Sequence, residues 1–392
     1  MKCKAIAENI VVLLENKSDI VYNVIMDSMS LEYLIATRRK LHALAELSGE
    51  EYKTSAFIFD ELKSFGYKPK KIATGVYCDV GKGSHRLAFR ADIDALPIKE
   101  KVAVTGMGEY AGNSAMHACG HDGHTANLLN VARILAKEKA VKTPIRLIFQ
   151  FGEEGIGGSE VMIEGGVLDG VDEIYALHLC PELDVGKIGY CYGGMFAGAC
   201  EFDVNVFGTA SHCAMREMGA DAISASLQVA EVINGAADKL GLLLNLGKIA
   251  GGSARNIVAD ACKSEYTVRF YDSAKCEKFM IDAERALLAS DDMFGTSHNL
   301  DTKAVYPPLV NSALCVDKAR RAAGDRAVET APRLTAEDFS NYLLRVPGCM
   351  VWLGLKEEGH DKPLHSDEFS FDERALIAGT EYFMNLIGLH DN

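Results

Sequence analysis

The segment MHACGHDGH, residues 116–124, packs His117, Cys119, His121, Asp122 and His124 around two glycines. Imidazole and thiolate are the donors a borderline-soft divalent ion such as zinc prefers, and glycine lets the backbone turn so that neighbouring side chains converge. No matching C-x-x-C half accompanies this loop. A structural zinc module would need one, whereas a catalytic site can draw its remaining ligands from distant segments. Such segments exist. RLAFRA (86–91) runs into Asp92 and Asp94, IRLIFQF (145–151) into Glu153 and Glu154, and EIYALHL (173–179) holds His178 near its end. Adjacent carboxylates suit a division of labour, one toward a metal and the other taking a proton from attacking water. His365 in KPLHSDEF and His212 in FGTASHCAM are further candidates. Arg255 and Asn256 in GGSARNIV form an arginine–amide pair suited to a carboxylate.

Position along the chain explains why these groups belong together. Short apolar runs bounded by turns alternate with helical periodicity: strands at 86–91, 145–151 and 173–179, helices near 122–138 and 158–164. That alternation predicts a largely parallel sheet covered on both faces, and in such sheets functional groups gather beyond the carboxyl ends of the strands. Residues 5–45 read as helical. A second helix is predicted to start from a Ser48–Glu51 capping box, with Ala56, Phe59, Leu62 and Phe65 as its apolar stripe and Gly66 after its end. Near residue 199 the pattern changes to strictly alternating strands, in the order β-α-β-β-α through 274–289. The fold class expected is α/β, with a mostly parallel-sheet catalytic domain (1–197 and 305–392) interrupted by an α+β domain (198–304).

The remaining properties narrow the function classes. The 392 residues exceed one ordinary domain and suit two. A net charge of −14 argues against nucleic acid or an anionic membrane as partner, and no apolar run is long enough for a membrane span. The opening segment lacks a cleavable-leader pattern. The 11 cysteines are scattered and odd in number, which fits buried thiols in a reducing cytoplasm. GIGGSE (155–160) lacks the full dinucleotide fingerprint, and neither a phosphate-binding G-x-x-x-x-G-K-[ST] loop nor a G-x-S-x-G elbow occurs.

RRKLHALAEL (38–47), FRADIDALPI (89–98), MHACGHDGHTA (116–126), FGEEG (151–155), ALHLCPELDVGKIG (176–189), GGSARNIV (251–258), TAEDFSNYL (335–343) and LHSDEFSFDE (364–373) together resemble a known group. It is the metal-dependent amidohydrolases of the aminoacylase/carboxypeptidase-like metallopeptidase family. The branch is the one with hippurate hydrolases, indole-acetyl-amino-acid hydrolases and N-acetyldiaminopimelate deacetylases. The resemblance implies a ferredoxin-like inserted domain acting as lid and dimerisation element, hence a homodimer or higher homo-oligomer. It implies one or two divalent ions (zinc, manganese, cobalt or nickel) on Cys119, His121, Glu154, His178 and His365. Glu153 would be the general base and His212 the oxyanion donor, with Asp92, Asp94, His117 and His124 supporting the ligands and Arg255 and Asn256 binding substrate. The implied reaction is hydrolysis of an N-acyl amino acid, with cleavage of short peptides or N-acetyldiaminopimelate as alternatives. The chain departs from the family pattern at Ala45 (usually proline), at Phe151-Gly152 (usually Pro-Ala) and at Cys213–Glu217 (often A-A-M-P-H). The last of these introduces an Arg216–Glu217 pair close to His212.

Overall fold

The computed structural model describes residues 30–83, 85–101, 114–138 and 141–391. The part of the expected 5–45 helix before residue 30 lies outside them. The helices are α1 (30–44), α2 (Tyr52–Ser64), α3 (His121–Leu135), α4 (Gly158–Glu164), α5 (Ala222–Leu240), α6 (Ser273–Phe294), α7 (Ala313–Ala323), α8 (Ser340–Leu343) and α9 (Leu376–Asp391). The strands are β1 (Lys70–Ile72), β2 (Gly75–Val80), β3 (Leu87–Asp92), β4 (Ile145–Gln150), β5 (Glu173–Asp184), β6 (Ile188–Tyr190) and β7 (Gly193–Phe196). They continue as β8 (Gly198–Phe207), β9 (Leu243–Gly251), β10 (Ala261–Phe270), β11 (Ser297–Tyr306), β12 (Leu309–Asn311), β13 (Ala327–Glu329) and β14 (Gly348–Lys356).

Two compact units result: one of residues 1–191, 311–330 and 342–392, the other of 192–310 and 331–341. The first is built on an eight-stranded sheet in the order β1-β2-β4-β3-β5-β14-β6-β13. Its centre is parallel: β4 with β3, β3 with β5, and β5 with β14. β1, β2 and β4 pair antiparallel at one edge. Every residue of β3 and β4 is buried, as expected of strands with both faces covered, so apolar residues fall on both faces, while Arg90 and Arg146 are paired with Asp92 and Asp79. α3 packs on β3 and α9, and α7 on β14 and α9.

The predicted capping box does not form. α2 starts at Tyr52 without a side-chain cap from Ser48. Its free amides are satisfied by Glu46 instead, whose Oε2 accepts from the backbone N–H of Lys53 (2.8 Å) and Thr54 (2.9 Å). The buried face is Thr54, Ser55, Ile58 and Leu62. Of the expected stripe only Leu62 is buried, because the helix is turned about one residue from the face its large apolar side chains suggest. Likewise His178 lies in the interior of β5, which continues to Asp184.

The second unit adds a strand that the alternation does not reveal. β8-α5-β9-β10-α6-β11 is the ferredoxin-like β-α-β-β-α-β order, and its sheet runs β11-β8-β10-β9, all antiparallel. β11 escapes a sequence reading because most of its residues are only half-buried or exposed, and its register shifts between Thr302 and Ala304. The core of this unit lies between sheet and helices, with Phe202, Val204, Val229, Ile233, Phe279 and Leu287 buried and Phe202 stacked on Tyr266 at 4.9 Å.

Candidate metal centre

Gly120 ends the 116–120 loop at φ +83 and serves as the N-cap of α3. A Cβ there would sit 2.7 Å from Leu179 Cδ1, so both the backbone conformation and the close approach to β5 require glycine. This turn sends His121 back toward the end of β3. The Asp94 backbone oxygen and Oδ1 lie 3.0 and 3.1 Å from His121 Nδ1. That nitrogen therefore donates, and in the neutral ring the lone pair is left on Nε2. His178 is set in the same sense, its Nδ1 donating to the Leu179 carbonyl at 2.8 Å.

The two rings and three other groups converge. Cys119 Sγ lies 3.5 Å from His178 Nε2 and 3.3 Å from His365 Nε2. Glu154 Oε1 lies 3.3 Å from His365 Nε2 and 3.9 Å from His121 Nε2. Donors sharing an ion at about 2.0–2.3 Å must sit about 3–4 Å apart, so this spacing fits a divalent cation. Cys119, His121 and His178 form one compact set and Cys119, Glu154 and His365 another, with the thiol common to both. Glu154 Oε1 is buried with the His365 ring 3.3 Å away, and His121 Nε2 is buried without a hydrogen-bond partner. Buried polar atoms are rarely left so, and a metal ion is the group that this donor set would satisfy.

His365 reaches the cluster at a conformational cost. It adopts φ +64, a left-handed backbone unusual for a residue with a Cβ, and its N–H donates to the Ala118 carbonyl at 2.9 Å. That bond ties the C-terminal segment to the loop carrying Cys119.

The supporting residues separate by what their polar atoms already do. His124 is used at both ends: Nδ1 donates to Asp92 Oδ1 at 2.6 Å and Nε2 accepts the Leu179 N–H at 2.9 Å. Burial, against the pull of Asp92, takes its pKa down to about 4, so it is a neutral strut. Asp92 is also paired with Arg90 at 2.7 Å. Asp94 accepts from His121 through Oδ1, and through Oδ2 from the Ser48 hydroxyl (2.6 Å) and the Glu154 N–H (2.9 Å). It links the α3 ligand to the loop bearing both glutamates. His117 is buried among these groups but has no hydrogen bond to either ring nitrogen, and burial pushes its pKa down to about 4. Glu153 lies with His121 and Glu154. Burial opposes charge on His121, but Asp92 and the bond to Asp94 outweigh it and raise its pKa well above the ordinary value. Burial, helped by the charges of Glu154 and Glu153 and opposed by His121, drives the Cys119 thiol in the same direction.

Further buried groups that no local sequence pattern marks support the loop from α1. Arg38 and His42 of α1 each meet Asp122 Oδ2 at 2.8 Å, and His42 Nε2 meets Glu100 at 3.1 Å. Burial works against the Asp122 charge, and Arg38 and His42 more than offset it. These contacts anchor the first turn of α3 beneath His121. Nothing in local spacing marks them, since His42 lies 80 residues from Asp122 and 58 from Glu100.

The remaining candidates gather in the second unit. His212 bridges to Ile257, Cys213 N–H donates to the Asn256 carbonyl at 3.0 Å, and Val258 N–H donates to the Ser211 carbonyl at 2.9 Å. His212, Arg255 and Asn256 thus share one exposed corner beside a shallow cleft of about 480 Å³ lined by Gly251–Arg255 and Ile257–Ala259. His212 Nδ1 accepts the Ala214 N–H at 3.2 Å, which in the neutral ring puts the hydrogen on Nε2 and makes that end a donor. Of the Arg216 and Glu217 that depart from the family pattern here, Arg216 meets Asp221 at 3.1 Å and the Ser224 hydroxyl at 3.3 Å. The N-cap carboxylate of α5 is the stronger partner because it is already fixed by the Ile223 and Ser224 amides.

The chain matches peptidase family M20/M25/M40 over residues 88–388. It is similar to the N-acetyl-L-cysteine deacetylase of Bacillus subtilis (strain 168), 36% identical over 368 residues, 90% of this chain and 86% of that one. The N-acetyldiaminopimelate deacetylase of the same organism is 32% identical over 373 residues, covering 91% and 99%. Among solved structures, a dinuclear metal-binding peptidase of the M20 family from Bacillus subtilis superposes with a TM-score of 0.81 at 28% identity, covering 93% of this chain and 99% of that one.

Proposed function

The chain belongs to peptidase family M20/M25/M40, and from that premise we propose that it hydrolyses the amide bond joining a small acyl group to an amino acid. The observation that carries this reading is the convergence of His121 Nε2, buried without a hydrogen-bond partner, with Cys119, Glu154, His178 and His365. One or two divalent ions held by these five residues would polarise the substrate carbonyl and activate water. Zinc, manganese, cobalt and nickel all suit a mixed thiolate, imidazole and carboxylate set.

Glu153 takes the proton from the attacking water on its carboxylate and returns it to the leaving nitrogen, which completes the amine product. His212 offers its Nε2–H to the oxygen that gains charge during attack. Arg255 and Asn256, on the same corner as His212, take the substrate carboxylate. Asp92, Asp94, His117 and His124 keep the ligand rings and the glutamate loop in place. In this reading the first unit carries the metal chemistry and the second acts as lid and as the contact between copies of a cytoplasmic homodimer or larger oligomer. The likeness to an N-acetyldiaminopimelate deacetylase favours a second substrate within the same reaction class.

Amine release from N-acetyl, N-benzoyl and longer N-acyl amino acids, N-acetyldiaminopimelate and matched free dipeptides, with metal supplied, tests the assignment. Release from acylated substrates is expected. Cleavage of free dipeptides alone would move the protein to the peptidases of its family.

A further inference from the structure

Glu51 stands where a helix cap is expected, yet its carboxylate reaches a loop 101 residues away. It is 0% exposed. Oε1 accepts the backbone N–H of Gly49 at 2.8 Å and of Gly152 at 3.0 Å, and Oε2 accepts the Thr74 hydroxyl at 2.6 Å. Among the described residues no lysine, arginine or histidine pairs with it. A buried carboxylate without a cation is costly, so what it holds in place is informative.

Gly152 immediately precedes Glu153 and Glu154. It adopts φ +67, and a Cβ there would lie 2.5 Å from Ile156 Cγ1. Its carbonyl accepts the Gly158 N–H at 3.1 Å, closing the loop. On the far side of Glu153, the Glu154 N–H is fixed by Asp94 at 2.9 Å. The backbone is therefore pinned on both sides of Glu153, ahead by Glu51 and behind by Asp94. The two pins differ: Asp94 also holds His121, whereas no hydrogen bond or ion pair among the described residues joins Glu51 to a candidate metal ligand.

We propose that Glu51 is a positioning residue for the reaction, its hydrogen bond to the Gly152 amide fixing the loop that aims Glu153. This rests on the assignment of Glu153 as general base. An acceptor-only group matches three donors, but the acceptor facing Gly49 and Gly152 is the one that matters. Glutamine keeps that acceptor, and the Thr74 hydroxyl can turn to meet its amide. Aspartate keeps the charge and loses the reach.

The test compares Glu51→Ala, Glu51→Asp and Glu51→Gln in the full chain. The readouts are kcat and KM on an N-acyl amino acid, zinc affinity by calorimetry on metal-stripped protein, and amide hydrogen exchange of peptides covering 149–157. The Ala and Asp variants are expected to lose about 10- to 100-fold in kcat through misaligned geometry. Their KM and zinc affinity should stay within about threefold while exchange quickens. The Gln variant should keep kcat within about threefold, with the slow exchange of the parent. If Glu51→Ala does not fold, Glu51→Asp carries the comparison. The proposal is overturned if Ala or Asp keeps the parent kcat and slow exchange, if Gln falls as far as Ala, or if zinc affinity falls in step with kcat. Should the parent itself turn over no N-acyl amino acid, the functional assignment fails, while hydrogen exchange still decides whether Glu51 pins the loop.

Discussion

His121 in the first unit and His212 in the second are set in opposite senses by their surroundings. At His121 the Nδ1 donates to Asp94, so in the neutral ring Nε2 presents a lone pair, in a site where the residue is 1% exposed. At His212 the Nδ1 accepts from Ala214 N–H, so Nε2 presents a hydrogen on an exposed corner. One side-chain type thus becomes a metal ligand or a hydrogen-bond donor according to what its other nitrogen touches. The first arrangement depends on buried carboxylates distant in sequence, the second on a backbone amide two residues away. Losses in the two regions should therefore be felt in different measurements.

The largest expected effect belongs to neither histidine. Glu153→Ala should lower kcat by about 100-fold to 10,000-fold, the range for a general acid–base group, with metal content unchanged by elemental analysis. Near-parent turnover would show that another group takes the proton. His212→Ala should cost about 100- to 1,000-fold in kcat, as expected for loss of one oxyanion donor, while zinc affinity measured on stripped protein stays the same. Asp94→Ala should do the reverse. Zinc affinity should weaken about 10- to 100-fold because His121 loses its orienting acceptor. A His212 variant with impaired zinc binding, or an Asp94 variant without it, would collapse the distinction between the two regions.

The smallest effect is one of pH. The raised pKa values of His121 and Cys119 mean that protons compete with metal above the ordinary histidine value of about 6.5. Zinc binding should therefore tighten as pH rises, by at most about tenfold per pH unit for each proton displaced. Calorimetry in buffers of different ionisation enthalpy would count those protons. Affinity independent of pH would mean that the ligands are already deprotonated in the metal-free chain.

The sequence made some of this legible and hid the rest for identifiable reasons. The 116–124 loop could be read because several strong donors fall within one tight turn. Glu153 and Glu154 could be read because a buried parallel strand is a continuous apolar run with a clear end. His178 reads as lying near a strand end, although β5 continues to Asp184, since the polar residues after it look like a turn. Ser48 and Glu51 have the spacing of a helix cap, but tertiary partners, Asp94 and Gly152, outcompete the local bonds. β11 is hidden by its exposure and its shifted register. Arg38, His42 and Glu100 could not be assigned because their significance lies in Asp122, to which no local pattern connects them.

The most direct test of metal-dependent amide hydrolysis is to strip the protein, add zinc or manganese stepwise, and follow amine release from an N-acyl amino acid against bound metal. Turnover should be absent at the start and rise with occupancy of the Cys119, His121, Glu154, His178 and His365 set, with saturation at one or two ions per chain. Undiminished turnover in the stripped protein with chelator present would contradict it.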